Sequence, residues 1–370
     1  MKFLIITNAP TLKKDNSYYS YAPYVNEMNI WCNYVDEVGV LSPTSYNQKL
    51  LLASFVKDPK MFSIPSIAFT SLVLAIKSVF VLPFIFFKIY KAMLWADHIH
   101  LRCPGNIGLL GCLVQIAFPS KIKTAKYAGN WDPEAKQPYS YRIQKKILRS
   151  TFLTKNIQVL VYGNWACQTK NIKPFFTATY RESEIATVKN RNYKEALCFV
   201  FVGTLVDGKC PLYAIKIIEE LSKKGYNVNL DIYGEGYLKE RLKKYIENNN
   251  LQDFIFLHGN QDKSRIKNKL KQSHFLILPS KSEGWPKVIA EAMFFGVIPI
   301  ATKVSCIPDM LDSSNRGILI DLEFKSDLEI IINYLQDQDK LKLMSKLAVK
   351  WSQHYTLDLF ETEIKKLLKR

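Results

Sequence analysis

The sequence has few of the residues that build metal clusters and disulfide frameworks. It contains 7 cysteines and 5 histidines in 370 residues, and no two cysteines form a C-x-x-C pair. No His/Cys group has the spacing of zinc ligands, so the pattern argues against a structural zinc site and against a disulfide scaffold. Unpaired cysteines in this number are typical of a reducing compartment, and we therefore expect a cytoplasmic protein.

Acidic residues are scarce in one half of the chain. Lys and Arg number 51 against 33 Asp and Glu, and of the net charge of +18, residues 1–194 carry +15 and residues 195–370 only +3. An excess confined to one half predicts that this half faces an anionic surface, either membrane phospholipid or nucleic acid. A basic surface that only keeps the protein soluble is the alternative. Because no zinc-finger or RNP-type signature is present, we expect a membrane surface and no nucleic acid.

An apolar run at 64–87 is long enough to cross a membrane, with 17 apolar residues in 24. However, the strand-like segments at 3–6 and 98–101 should share one sheet, and a single span would place them on opposite sides of the bilayer. We therefore expect a helix that is partly core and partly an interfacial anchor, while a true span and a purely buried helix remain open. Four lysines flank the apolar run: Lys57, Lys60, Lys88 and Lys91.

The first seven residues are too short for a signal peptide and are typical of a buried first strand.

Strand-like and helix-like segments alternate along the chain, which predicts α/β architecture with doubly wound parallel sheets. This alternation predicts two Rossmann-like domains, residues 1–180 and residues 195–351, that face each other across a ligand-binding cleft. A polar linker at 181–194 joins them, and an amphipathic helix at 352–370 crosses back to the first domain. In the second half we predict strands at 198–202, 228–233, 254–257, 275–278, 297–301 and 317–320, and helices at 211–224, 237–249, 263–271, 286–295 and 325–335. In the first half we predict strands at 2–7, 37–41, 97–101, 124–127 and 158–162, and a helix at 106–118.

Two carboxylates lie seven residues apart behind one predicted strand. Glu283 comes at the carboxyl end of that strand, where open α/β sheets bind ligands. Glu291 lies inside an apolar helix that begins near Pro286 and ends before Gly296. A buried carboxylate needs hydrogen-bond donors, and a vicinal diol of a sugar supplies two. The alternative is a surface loop glutamate and a glutamate on the wet face of the helix.

Glycine-rich turns follow three predicted strands of the second half. Gly203 comes six residues before Lys209, Gly234 and Gly236 follow the next strand, and Gly259 follows the third. Glycine lets backbone approach a ligand closely, and a lysine that opens a helix suits a phosphate. Each turn alone is typical of any α/β protein, but three on one edge beside two carboxylates predict a nucleotide-diphosphate site.

Taken together, these motifs resemble those of the retaining glycosyltransferases of family 4, which have the GT-B fold. The resemblance covers residues 197–320 most strongly, about a third of the chain. It rests on Gly203–Leu205 with Lys209, on Gly234, Gly236 and Ser280, and on Glu283 to Glu291 followed by Ala292, Met293 and Gly296.

The resemblance implies that Glu291 binds the ribose hydroxyls and Glu283 the sugar hydroxyls, while Lys209 neutralises the leaving diphosphate. Glu283 and Lys209 are thereby implied as the catalytic pair. It further implies retention of anomeric configuration, no essential metal, and no cofactor besides the nucleotide-sugar substrate. The full donor-binding set implied is Gly203, Thr204, Lys209, Gly234, Gly236, Ser280, Glu283, Gly284, Trp285 and Glu291.

The sequence departs from the family pattern in two places. Thr204 stands where the family usually has an arginine, and the segment 126–132 lacks the histidine that usually lies near the acceptor. Arg102, Asn130 and Asp132 are our candidates for acceptor contacts in the first domain.

We therefore expect a glycosyltransferase that moves a sugar to a lipid-linked or cell-envelope polysaccharide, such as lipopolysaccharide, as a peripheral protein on the inner face of the cytoplasmic membrane. A nucleotide-sugar epimerase on the same fold is one alternative, although it needs no basic membrane-facing domain. A non-catalytic protein that binds membranes or nucleic acid is another, although it leaves Glu283 and Glu291 unexplained.

Overall fold

The computed structural model describes residues 1–45, 51–69, 71–188 and 190–369. The chain divides into two compact units, the first made of Met1–Phe175 with Glu361–Arg370 and the second of Phe176–Phe360. The predicted linker 181–194 lies within the second unit. Thr70, Lys189 and Arg370, which fall in the predicted anchor, linker and final helix, lie outside the described residues.

The first unit is built on a parallel sheet of seven strands in the order β10-β9-β8-β7-β1-β4-β6. Its central strands are apolar and buried, as expected for a sheet covered on both faces. Its strands are β1 (Lys2–Ile6), β2 (Leu12–Lys14), β3 (Ser17–Tyr21), β4 (Glu37–Pro43), β5 (Leu52–Ser54), β6 (Lys60–Ile64), β7 (His98–Cys103), β8 (Ile122–Tyr127), β9 (Ile157–Val161) and β10 (Ile172–Pro174). Its helices are α1 (Ala22–Cys32), α2 (Leu72–Trp95), α3 (Asn106–Val114) and α4 (Tyr139–Arg149).

Some elements of the first unit were not predicted. Strands β6 and β10 close the two edges of the large sheet, and β2, β3 and β5 form a separate antiparallel sheet in the order β2-β3-β5. The predicted helix at 64–87 begins too early, because Ile64 is the last residue of β6, and it ends too early, because α2 continues to Trp95.

Helix α2 has two different halves. Its second half packs in the core through Ile85, Ile89, Ala92 and Met93, all 0% exposed. Its first half projects apolar side chains into solvent, and only 17% of its most apolar 18-residue window is buried. By length and composition alone α2 is able to span a bilayer. The core half of the expected helix is therefore confirmed, and the role of the exposed half as an interfacial anchor stays a prediction.

Two histidines of β7 are fully buried in the sheet. His98 Nε2 and His100 Nδ1 lie 3.0 and 2.8 Å from the same Thr124 hydroxyl. Their remaining ring nitrogens are buried and have no hydrogen-bond partner among the described residues. Burial lowers the pKa of His98 to about 4, and burial and the neighbouring Arg102 charge lower that of His100 well below its usual value. Both rings are therefore neutral core groups.

The second unit contains a six-stranded parallel sheet in the order β13-β12-β11-β14-β15-β16. Its predicted strands and helices are confirmed to within two residues at each end. The strands are β11 (Leu197–Val202), β12 (Val228–Tyr233), β13 (Ile255–Gly259), β14 (Phe275–Leu278), β15 (Ile298–Thr302) and β16 (Ile318–Ile320). The helices are α5 (Pro211–Lys223), α6 (Lys239–Asn248), α7 (Lys263–Gln272), α8 (Lys287–Phe294), α9 (Ile307–Met310), α10 (Phe324–Leu335) and α11 (Gln338–Ser352).

The predicted single helix at the C-terminus is wrong in its start. Helix α11 ends at Ser352, and a separate helix, α12 (Leu357–Leu368), follows after a turn. Thr356 explains the break, because its hydroxyl accepts a hydrogen bond from Leu359 N at 3.2 Å, as a helix N-cap does. Residues from Glu361 onward belong to the first unit.

Candidate functional site

Lys209 and Glu283 meet in the second unit. Lys209 Nζ donates to Glu283 Oε1 at 2.5 Å, and the two side chains are 27% and 8% exposed. Lys209 follows β11 and Glu283 follows β14, which are neighbours at the centre of the sheet. From β11 the chain proceeds outward to β12 and β13 on one side and returns to β14 on the other, so the two loops diverge at the point where open sheets bind ligands. The structure thus joins the predicted cation and the predicted sugar-binding carboxylate in one ion pair.

The glycine turns pack backbone against backbone at the same edge. Gly234 has a φ of +148°, and a Cβ there would lie 1.8 Å from the carbonyl oxygen of Gly203. A Cβ on Gly236 would lie 2.3 Å from the carbonyl oxygen of Leu205. Since real side chains do not approach this closely, both positions require glycine. The absence of side chains at these two glycines allows the loops after β11 and β12 to pack directly against each other.

Glu291 projects from α8 and is partly buried. Its Oε1 accepts a hydrogen bond from Thr179 Oγ1 at 2.7 Å. Burial, together with the negative charge of Glu291, raises the pKa of the neighbouring Tyr180. Thr179 was missed by the sequence analysis, because the stretch around it carries no motif. The second carboxylate oxygen of Glu291 makes no hydrogen bond to the described residues, so it is available to a hydroxyl.

The loop between β14 and α8 holds the other predicted donor residues. Ser280 is 0% exposed, and its hydroxyl has no hydrogen-bond partner among the described residues. Gly284 O accepts from Ser305 Oγ and Cys306 Sγ, each at 3.1 Å, which fixes the loop. Trp285 stacks on Trp351, with ring centroids 6.0 Å apart.

Helix α8 starts immediately after this loop. Pro286 is its N-cap, and no side chain of the described residues caps its first turn by a hydrogen bond. The first amides of a helix have no partner within it and carry a partial positive charge, so they suit an anion or an oxygen with lone pairs. With Lys209 paired to Glu283 in the loop before this helix, the site offers a cation and backbone amides.

The loop after β11 presents Thr204 to solvent, so no cation stands at this position. Farther along the same loop, Tyr237 Oη donates to Asp207 Oδ2 at 2.9 Å, and Lys281 N donates to Gly208 O at 2.9 Å. A cavity of ≈ 270 Å³ adjoins Asp207 and Lys281 between α5 and α6, but neither Glu283 nor Glu291 lines it. We therefore place the candidate site at the two carboxylates and not in this cavity.

The predicted acceptor-side residues of the first unit are held by other protein groups. Arg102 Nη1 donates to Glu27 Oε1 at 2.6 Å, and both side chains are largely buried. Asn130 Oδ1 accepts from Asp132 N at 2.8 Å, and Asp132 Oδ1 accepts from Glu134 N at 2.9 Å. The Arg102–Glu27 pair joins β7 to α1, and the contacts of Asn130 and Asp132 shape the loop after β8. They show how the three residues are positioned, and their part in binding an acceptor stays a prediction.

Most of the second unit matches a known family model. Residues 182–351 match the model of the family described as "Glycosyl transferases group 1". An uncharacterized glycosyltransferase of Haemophilus influenzae is 32% identical over 268 residues, which are 69% of this chain and 65% of that protein. The Staphylococcus aureus protein CapH, a capsular polysaccharide biosynthesis glycosyltransferase, is 23% identical over 249 residues, 61% of this chain and 64% of that protein. The chain thus spans just under two thirds of either relative.

Comparison with solved structures identifies the fold. Anabaena Alr3699/HepE, solved in complex with UDP and glucose, is similar over 100% of this chain and 99% of its own, with a TM-score of 0.68 and 14% sequence identity. The predicted GT-B fold is confirmed by this similarity across the entire chain.

Proposed function

Residues 182–351 match the model of the group 1 glycosyl transferases and the chain has the GT-B fold. On this premise we propose that the protein transfers a sugar from a nucleotide-diphosphate sugar to a lipid-linked or cell-envelope polysaccharide. The observation that carries the proposal is the Lys209–Glu283 pair at the carboxyl edge of β11 and β14. This is the edge at which open α/β sheets bind ligands.

The proposed chemistry follows from where charge develops. Breaking the bond between the anomeric carbon and the diphosphate builds positive charge on the sugar and negative charge on the phosphate. Lys209 would leave Glu283 and stabilise the diphosphate, while the first amides of α8 add to this stabilisation. Glu283 would then accept hydrogen bonds from hydroxyls of the donor sugar, and Glu291 would accept them from hydroxyls of the ribose. We propose retention of anomeric configuration without an essential metal.

The relatives support the substrate classes. Alr3699/HepE was solved with UDP and glucose, which supports a nucleotide-sugar donor for a chain of the same fold. CapH is a capsular polysaccharide biosynthesis glycosyltransferase, which supports a cell-envelope polysaccharide as the acceptor.

The test is a donor screen. UDP, GDP and ADP sugars are incubated with the protein, and release of the nucleoside diphosphate is measured together with thermal shift. At least one donor is expected to be hydrolysed slowly and to raise the melting temperature. Glu291→Gln should lower use of that donor by about tenfold or more, because one or two hydroxyls lose a charged acceptor in a partly buried site.

The matched control for this substitution is Glu195→Gln, an exposed glutamate outside the site. It should leave donor use unchanged. NMR of the transfer product gives the anomeric configuration, and addition of EDTA tests the metal. If no nucleotide-sugar binds, or if Glu291→Gln turns over as fast as the unsubstituted protein, the assignment of this site is wrong.

We also propose that the first unit docks on an anionic membrane through α2, as a peripheral protein on the inner face of the cytoplasmic membrane. Phe80, Phe84 and Phe87 are 80%, 50% and 57% exposed, and their spacing places them on one face of the helix. Lys88 and Lys91 lie over the rings of Phe84 and Phe87. Exposed aromatic rings beside lysines are typical of a helix that lies in the headgroup region and neutralises acidic lipid.

Vesicle flotation tests this surface. The protein should float with vesicles that contain phosphatidylglycerol, and the bound fraction should fall as salt is raised. Phe80→Ser/Phe84→Ser/Phe87→Ser should weaken partitioning by more than about tenfold, because three apolar side chains no longer leave water. Phe152→Ser, at a ring 79% exposed outside α2, is the control and should partition normally. Equal partitioning of the triple variant and the control would refute docking through α2.

A further inference from the structure

A second cavity of ≈ 330 Å³ lies in the second unit, between α11 on one side and Val188 with residues 190–193 on the other. It is separate from the candidate donor site, because it adjoins the C-terminal end of α8 and Glu283 lies before its start. The eight residues of α8 put about 12 Å between the two ends. The volume is in the range of cavities that hold small ligands.

The wall of this cavity on α11 carries only positive charge. Lys342, Lys346 and Lys350 follow one another at intervals of four, so all three ammonium groups lie on the same face of the helix. No Asp or Glu is among the described residues that line the cavity. Lys342 has one acidic neighbour, the exposed Asp339 at 3.2 Å, which does not line the cavity. Like charges at this spacing destabilise a helix unless an anion sits between them.

The opposite wall adds a fourth cation. Arg191 Nε donates to Ser273 O at 2.6 Å, and Nη2 donates to Phe295 O at 2.6 Å and to Leu270 O at 3.4 Å. These bonds cap the ends of α7 and α8 and account for part of the guanidinium. Nη1 is buried and has no hydrogen-bond partner among the described residues. Burial also lowers the pKa of Arg191, and the neighbouring Tyr193 opposes this effect only in part.

A structural cap alone explains Arg191 but not the three lysines, and a solvated lysine face explains the lysines but not the unpaired, buried Nη1. A single feature accounts for both, namely an anion held between the walls. Tyr193 supplies a buried hydroxyl that has no hydrogen-bond partner among the described residues, whereas the Ser345 hydroxyl in the same cavity already donates to Gly296 O at 2.7 Å. A phosphate group has three or four oxygens that accept from ammonium, guanidinium and hydroxyl donors together, which matches this set of donors.

We propose that this cavity binds a small phosphorylated anion through Lys346, Lys350 and Arg191, at a site distinct from the donor site. The inference goes beyond the proposed function and does not depend on it. The phosphate belongs either to a free metabolite or to a lipid headgroup, and the chemistry of recognition is the same for both.

Isothermal titration with inorganic phosphate tests the site on the full chain. Lys346→Ala/Lys350→Ala should weaken phosphate binding about tenfold or more, because two charge-assisted contacts are lost. Lys243→Ala/Lys244→Ala removes the same charge from the exposed surface of α6 and should bind phosphate normally. All four lysines are exposed, so both variants should fold, which circular dichroism and the melting temperature verify.

The donor site also offers a cation to phosphate, and Lys209→Met separates the two sites. Phosphate binding that survives Lys209→Met and is lost in Lys346→Ala/Lys350→Ala supports the proposal. Absence of phosphate binding, loss only in Lys209→Met, or equal weakening in the α6 control would overturn it. Vesicles that contain phosphatidic acid identify the source of the phosphate group. Vesicle binding that depends on Lys346 and Lys350 and is displaced by free phosphate assigns the group to a lipid. Vesicle binding that does not depend on these two lysines assigns the group to a soluble compound.

Discussion

Replacing Lys209 with methionine is expected to lower kcat/KM for sugar transfer about 100- to 1,000-fold, the size of effect seen when one preorganised group that stabilises developing negative charge is removed. Methionine keeps much of the side-chain length and removes only the charge. The fall should appear mainly in kcat, because the cation is needed most when the bond to the diphosphate breaks. Steady-state kinetics with the donor found in the screen gives both constants.

A double variant distinguishes this role from a purely structural ion pair. If Lys209 serves only to neutralise Glu283, then Glu283→Gln should restore what Lys209→Met loses, since no unpaired carboxylate remains. If both side chains act on the donor, Lys209→Met/Glu283→Gln should be no more active than either single variant. Lys223→Met is the matched control, because Lys223 is also paired with glutamates, at 2.7 and 2.9 Å, but lies at the far end of α5. It should keep normal kinetics.

Acidification from pH 6.5 to pH 4 is expected to remove about 3 kcal/mol of stability from the first unit through His98 alone. The unfolded chain binds a proton at this histidine below pH 6.5, whereas the folded state excludes it until about pH 4. The free energy of unfolding therefore falls as the pH falls through this window, and the contribution of His98 to it is fully present above pH 6.5. His100, which is also buried and has a lowered pKa, adds a loss of the same sign.

Hydrogen exchange of the β1, β7 and β8 amides measures this loss within the first unit, independently of the second. His98→Gln removes one titrating group, so the slope of stability against pH should fall by about 1.4 kcal/mol per pH unit within the window. Identical slopes of stability against pH for the unsubstituted protein and His98→Gln would contradict this prediction, because they would show that the His98 ring takes up its proton in the folded state as readily as in the unfolded chain.

The second unit could be predicted closely because its segments are strongly periodic. Strands β12 and β14 end where the sequence analysis placed their ends, since apolar, β-branched runs stop at glycine or at a polar loop. The first unit was harder. Strand β6 ends at Ile64, the first residue of the long apolar run, so its hydrophobic residues merged with those of α2 in the sequence. Short edge strands such as β6 are stabilised by pairing and leave little local signal.

The sequence predicted the individual residues of the candidate site but not the contacts between them. Motif spacing located Lys209 and Glu283 on separate loops, and their contact depends on β11 lying beside β14, which spacing along the chain does not encode. Thr179 had no signal for the same reason, because its hydrogen bond to Glu291 crosses 112 positions of sequence. The four cations of the second cavity lie on a connecting segment and on a helix outside every motif, where a run of lysines is usually a solvated surface.

The close packing of the turns after β11 and β12 bears on attempts to engineer donor specificity. Gly234 and Gly236 leave no room for even a methyl group, so libraries that randomise them should yield misfolded protein and no new preference. Glu235 and Tyr237 lie between and after these glycines and are exposed, so they can be varied, although replacing Tyr237 also removes its hydrogen bonds with Asp207. Directed evolution of this loop should therefore vary every second residue and keep the glycines fixed.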